Sequence, residues 1–201
     1  MRELTLFMIL LVILFMVSGY LRKIRYLTKV VSSVDNREYL VRSLPDKKEA
    51  ANILANLSSD LQKLCDHCQN IADNKGSEEK KHYKGAIKRL NDNFKRDRII
   101  EHIPGNRYIA HSVDKGREIS ICIRDSKDTK FMDTNTIRFV AIHELAHLMT
   151  AENGHPPIFW EHMKYLLERA KDLSIYQPVD YSVSPVVYCG YTIDQSPLFQ
   201  K

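Results

Sequence analysis

From Leu4 to Val17 a single residue, Thr5, interrupts an otherwise apolar run, and Ser18, Gly19, Tyr20 and Leu21 extend it to 18 residues. As a helix rising about 1.5 Å per residue, the stretch covers roughly 27 Å, close to the thickness of a bilayer core. Such a run must be surrounded by lipid or by other apolar side chains. The rest of the chain is too polar to surround it, so a membrane is the expected environment. Arg2, the apolar stretch and Val17-Ser18-Gly19 would suit a cleaved signal peptide and a secreted protein. Arg22, Lys23, Arg25 and Lys29 outweigh Arg2, however, and favour an uncleaved single-pass anchor. The remainder would then lie on the cytoplasmic side or inside an enveloped virion. The expected organisation is a transmembrane anchor over 1–21, a basic and polar linker over 22–45, and one folded domain over 46–201.

Composition narrows what that domain can be. Hydrophobic residues make up 44% of the 201, charged residues 27%, with seven Gly and seven Pro, so a packed core is expected and wholesale disorder is not. The net charge of +5 is modest and concentrated in Arg22–Lys29 and Lys80–Arg98. The surface as a whole is therefore not that of a nucleic-acid binder, and contact at the second cluster is a minor expectation. Of four cysteines, Cys65 and Cys68 form a C-x-x-C while Cys122 and Cys189 stand apart. There is no second C-x-x-C for a zinc ribbon, and no preceding strand as a thioredoxin-like motif requires. Reduced cysteines in a reducing compartment are expected.

Beyond Pro45, Asp46 can cap a helix. Ala50, Ile53, Leu54, Leu57, Leu61, Leu64, Cys65 and Cys68 then recur at three- and four-residue steps, the seam of one amphipathic helix reaching Ala72. Asn74-Lys75-Gly76 stops this helix, and a more charged helical pattern follows from Ser77 to about Phe94. The period then changes. Tyr108–Val113, Asp114-Lys115-Gly116 and Glu118–Arg124 read as a β-hairpin. Ile119, Ile121 and Ile123 alternate with Ser120, Cys122 and Arg124, which predicts one buried face. From Thr134 the helical period returns through Ile137, Val140, Ala141, Leu145 and Leu148. A last helix begins after Pro156-Pro157, with Phe159, Met163, Leu166, Leu167 and Ala170 on one side. Val186–Ile193 is short and strand-like. The fold class expected is α+β, mostly helical, with a small sheet.

The chemistry lies in the helix from Thr134. His143-Glu144-Leu145-Ala146-His147 is an H-E-x-x-H motif, and random ordering of this composition yields only roughly 0.02 such matches. Spacing i, i+4 sets both imidazoles on one face, one turn apart, where they can share a Zn²⁺. Glu144 beside that face can take a proton from a water polarised by the metal. A catalytic zinc site has three protein ligands and an open position. The third must come from elsewhere: His155, after the turn-forming Asn153-Gly154, is preferred, with Glu152, Glu161 and His162 as rivals. Thr150 and Asn153 occupy the Gly and third His positions of the longer H-E-x-x-H-x-x-G-x-x-H pattern and rule it out. Tyr181, Tyr188 and His162 are candidate oxyanion donors.

The run His143–His147 followed by Gly154-His155-Pro156-Pro157-Ile158-Phe159-Trp160 resembles the active-site stretch of the WLM and SprT-like zinc metallopeptidases. The resemblance covers about 25 residues, Ile142 to Leu166. It implies a zincin-like domain with one catalytic zinc on His143, His147 and His155, Glu144 as general base, and Phe159 packed beneath the metal. It also implies that an edge strand, here Ile119–Arg124, pairs with an extended protein or peptide substrate. Familiar members act on proteins crosslinked to DNA, but their nucleic-acid and modifier-binding elements are not evident here. Related domains occur in large DNA viruses, where a tethered version is plausible. The expected activity is zinc-dependent endopeptidase hydrolysis of peptide bonds. The competing expectations are a membrane-anchored, zinc-stabilised adaptor without turnover and a hydrolase of non-peptide amides.

Overall fold

The computed structural model describes residues 2–73, 78–105, 111–113, 116–125 and 129–200. Helix α1 (Arg2–Tyr26) runs directly into strand β1 (Leu27–Val31), which pairs antiparallel with β2 (Glu38–Arg42). Residues 27–42, expected as linker, are thus the first hairpin of the sheet. The misreading has a physical cause. β1 is an edge strand carrying exposed charge, with the Lys29–Glu38 pair at 3.0 Å, and only Leu27, Tyr39 and Val41 are buried. Charged edges blunt unwanted pairing and make a strand read as polar.

Among the described residues no helix is long and apolar enough to cross a membrane. The single-pass anchor and the membrane localisation are corrected accordingly. The uninterrupted apolar run Leu6–Val17 rises only roughly 18 Å, against about 30 Å of hydrocarbon. Arg22, Lys23 and Arg25, expected as a flanking cluster, lie within the helix.

Helix α2 (Lys47–Asp73) buries the expected seam, with Ala50, Leu54, Leu57, Leu61, Leu64, Cys65 and Cys68 in the core. Cys65 and Cys68 are free and buried, as packing residues of an amphipathic helix should be. Helix α3 (Glu78–Asn93) follows, then β3 (Ile99–Glu101), β4 (His111–Val113) and β5 (Glu118–Ile121). Helices α4 (Thr134–Met149) and α5 (Pro157–Asp172) come next, and β6 (Val186–Tyr188) and β7 (Tyr191–Ile193) end the chain as a separate hairpin. The fold is α+β, with five α-helices and a five-stranded sheet among the described residues.

The sheet order is β1-β2-β3-β5-β4, with β2, β3 and β5 parallel and β1 and β4 antiparallel at the two edges. The β4–β5 hairpin forms as expected, although Tyr108–Ala110, Asp114 and Lys115 lie outside the described residues. Two expectations about β5 are corrected. It is not the edge strand, because β4 pairs along it. Nor is one face open: Ser120, Cys122 and Arg124 are as buried as the isoleucines. Arg124 donates to Glu101 at 2.8 Å and to Asp46, and its guanidinium lies 4.1 Å from the Phe131 ring centre. The Glu101 carboxylate also accepts from the Arg42 backbone N–H at 2.7 Å. This network ties β2, β3 and β5 to the start of α2, and satisfied ion pairs let charge sit at the core. Sequence alternation records polarity, and here a polar residue is buried because its partners are buried with it.

Gly116 shows why the hairpin turn needs glycine. At φ +97 it sits so close to the end of α3 that a Cβ would come within 2.7 Å of the Asn93 carbonyl oxygen. A side chain there forces the turn off α3 and off Leu148 of α4.

Candidate metal centre

Helix α4 carries the motif through the middle of the molecule. Asp133 caps its start, accepting from the Thr136 N–H at 2.8 Å and the Thr136 hydroxyl at 2.9 Å. Arg89 of α3 donates to the Met149 carbonyl at 3.0 Å, satisfying one of the exposed acceptors at its C-terminus. Ile137, Val140, Ala141, Leu145 and Leu148 are all buried, and so are Phe139, Ile142 and Ala146 on other faces. Past its first turn, only Arg138 and the narrow strip with His143 and His147 escape full burial.

After α4 the chain reverses through Gly154, at φ +77, and returns His155 over the two helical histidines. Pro156 and Pro157 then start α5 without leaving an unsatisfied N–H. The three imidazole rings stand 4.8–4.9 Å apart between centres. One ligand-capable nitrogen from each falls within 4.8 Å of the others. Nε2 of His143 and Nε2 of His155 are 3.1 Å apart, close to the roughly 3.3 Å between two nitrogens bound tetrahedrally at about 2.0–2.1 Å from one zinc ion. The donor set therefore fits a zinc ion.

Phe159, fully buried on the first turn of α5, packs against all three rings at 4.5–4.9 Å and fixes their tilt from below. Burial, with His147 and His155 as secondary causes, drops the His143 pKa to about 3. Burial lowers that of His155 too. Both are held neutral, with lone pairs available, as a metal ligand must be.

The rival ligands lie elsewhere. His162 is buried on α5, with its Nδ1 2.8 Å from the Thr150 hydroxyl at the end of α4. Burial lowers its pKa to about 4, with the Arg89 charge contributing. Glu161 faces His82 at 3.9 Å, and Glu152 is exposed. None of the three belongs to the cluster of ligand atoms. His162 links α4 and α5 through Thr150. Tyr181 is buried against Phe139, 4.8 Å between ring centres, away from the opening.

Tyr188 does reach the site. It lines an open groove of about 310 Å³ together with His143, Glu144, Trp160, Met163 and Asp194. Glu144 is only 3% exposed at the groove floor. Burial first, then the Glu144 charge, pushes the Tyr188 phenol pKa up, so it stays neutral. Its hydroxyl donates to the Cys122 carbonyl at the end of β5.

Sequence reasoning missed that the C-terminal hairpin forms this wall. The signal was Cys189-Gly190: both have positive φ, 51° and 92°, as a two-residue hairpin turn demands. It also missed that Cys122 and Cys189 are joined in a disulfide across 67 residues, which corrects the expectation of reduced, isolated cysteines. Two half-cystines that far apart carry no local signal.

With this geometry in place, comparison with known proteins is specific. The model of the WLM domain, a zinc metalloprotease-type domain, matches residues 86–183. An uncharacterized protein of Acanthamoeba polyphaga mimivirus is 37% identical over 170 residues, spanning 84% of this chain and 83% of its own. An uncharacterized protein of Invertebrate iridescent virus 6 is 26% identical over 159 residues, spanning 75% of this chain and 82% of its own. A crystal structure of a Wss1 mutant from Saccharomyces cerevisiae superposes with TM-score 0.50 at 20% identity, over 67% of this chain and 88% of that one. At that identity the likeness speaks to the fold alone.

Proposed function

This chain belongs to the WLM-domain family, and on that premise we propose that it is a zinc-dependent metallopeptidase hydrolysing peptide bonds in protein substrates. The observation that carries the reading is the convergence of three imidazoles from two segments, with Glu144 beside them on the floor of an open groove.

His143, His147 and His155 would hold the ion, which when bound supplies Lewis acidity for a scissile carbonyl and a nucleophilic water near neutral pH. Glu144 takes the proton of the attacking water and returns it to the leaving amine. Tyr188 shapes the groove: with its hydroxyl committed to the Cys122 carbonyl, the ring is held as a wall facing Glu144. Trp160, 39% exposed, forms the outer rim. An extended substrate pairs with β4, the edge strand next to β5, by backbone hydrogen bonding.

Digestion of a peptide library by the zinc-loaded chain and by Glu144→Gln tests this reading. Cleavage by the wild type alone, with equal zinc in both, is expected. Equal cleavage by both, or a folded wild type that takes up no zinc, sinks it.

A further inference from the structure

We propose that the groove beside Glu144 receives a lysine or arginine side chain of a bound polypeptide, and that Asp194 selects it. The inference rests on the peptidase reading for its substrate and deepens it by naming the residue type that lies next to the scissile bond.

The first observation is the shape and lining of the groove. It holds about 310 Å³, room for one long side chain, and its apolar lining includes Phe139, Val140, Met163 and Ile193. The first three are buried at the floor, and Ile193 is half-buried on the hairpin wall. Of the three candidate metal ligands only His143 lines this space, so the groove runs beside the metal centre. A substrate residue adjoining the reacting carbonyl therefore puts its side chain here.

The second observation is charge. No lysine or arginine lines the groove, whereas two carboxylates do, Glu144 on the floor and Asp194 at the rim. Asp194 follows β7 directly, is exposed, and makes no ion pair among the described residues. The chain as a whole carries +5, so its general field favours acidic partners and the groove is a local exception. The charge of a bound ion is opposed by Glu144 on the same helix as His143, which leaves Asp194 for a substrate cation to meet.

An amphipathic cation suits both features at once. The methylenes of lysine or arginine lie on the apolar floor, and the charged end stays in water at the rim beside Asp194. A wholly apolar side chain uses the floor and ignores Asp194, and an acidic one meets two like charges. Because the ion pair forms at an exposed position, it adjusts preference and does not create affinity. The family match ends at residue 183. Ile193 and Asp194 lie beyond it, so this selectivity belongs to the chain's own C-terminal hairpin.

The test uses the full zinc-loaded chain carrying Glu144→Gln, in which Asp194 is the groove's remaining carboxylate. The probes are short, uncharged alanine-serine peptides with one central lysine, norleucine or glutamate, and binding is read by fluorescence anisotropy. The lysine peptide should bind about two- to fivefold tighter than the norleucine peptide, with glutamate weakest, and the lysine advantage should shrink with added salt. Adding Asp194→Asn should equalise lysine and norleucine while leaving norleucine binding unchanged, and Asp194→Lys should rank glutamate above lysine. The proposal is overturned if lysine and norleucine bind alike, if the lysine preference survives Asp194→Asn, if glutamate binds best to the chain with Asp194 intact, or if none of the peptides binds. Cleavage of the same peptides by the zinc-loaded wild type keeps the two readings apart. A binding preference without any cleavage sinks the peptidase reading alone, whereas cleavage without a lysine preference in binding sinks this one alone.

Discussion

The groove over Glu144 has two walls secured in opposite ways. The α4–α5 wall is a central helix buried on nearly every face, capped by Asp133, anchored at its end by Arg89, and backed by Phe159 under all three histidines. The β6–β7 wall is a short hairpin with Val187 and Tyr191 exposed, held by the buried Tyr188 and Cys189 and by Val186 and Ile193 packed against the core. Order spread over a long buried helix resists any single change, whereas a short hairpin depends more on each of its few attachments. The metal ligands sit on the first wall, where rigidity preserves coordination geometry. The part that borders the substrate is on the second.

The sharpest way to separate chemistry from both walls is Glu144→Gln, which removes a proton acceptor and little volume. Peptide cleavage should fall about 10²–10⁴-fold while zinc content and melting temperature hold. Phe159→Ala attacks the first wall. Emptying that fully buried site should cost about 3–5 kcal/mol by denaturant titration, with zinc affinity falling too because three rings lose their floor. If stability falls and zinc affinity does not, Phe159 is packing alone.

The paired change Cys122→Ser with Cys189→Ser attacks the second wall. The bond closes a long loop, so a loss of about 2–4 kcal/mol is expected, with α4 keeping its amide protection. Loss of protection across α4 as well would show that the two walls are not independent.

The smallest expected effect concerns His162, the strut between α4 and α5. Its folded pKa is about 4, below the ordinary value of 6.5. Its contribution is therefore fully present above about pH 6.5 and lost as pH falls toward 4, since the unfolded chain binds the proton first. Between pH 7 and pH 5 this amounts to about 2 kcal/mol. His162→Asn should flatten that part of the stability profile, and an unchanged slope would place the acid sensitivity elsewhere.

Legibility followed the range of the interactions. The α2 seam and the motif on α4 could be read because a helix repeats its buried positions every three or four residues, and the periodicity survives without partners. His155 needed more. Spacing left Glu152, Glu161 and His162 open, and the resemblance around Gly154-His155-Pro156 selected it. The β1–β2 hairpin was read as linker because charged edge strands lack clean alternation. Arg124 was assigned to an open face because nothing local announces that Glu101 and Asp46 are waiting for it. The apolar run near the N-terminus was read as a membrane span, and the described helices do not bear that out.

By itself, then, the sequence determined the local chemistry: an i, i+4 histidine pair with its glutamate on a helix, the helix boundaries, and the turn that returns His155. Those depend on neighbours a few residues away, whose geometry the backbone sets. Only the tertiary structure decided that β4 rather than β5 forms the sheet edge, that Arg124 is buried, and that Cys189 joins Cys122. It alone placed Tyr188 opposite Glu144. Each of these joins residues tens of positions apart, and such pairings become favourable only once the sheet and α4 have brought them together.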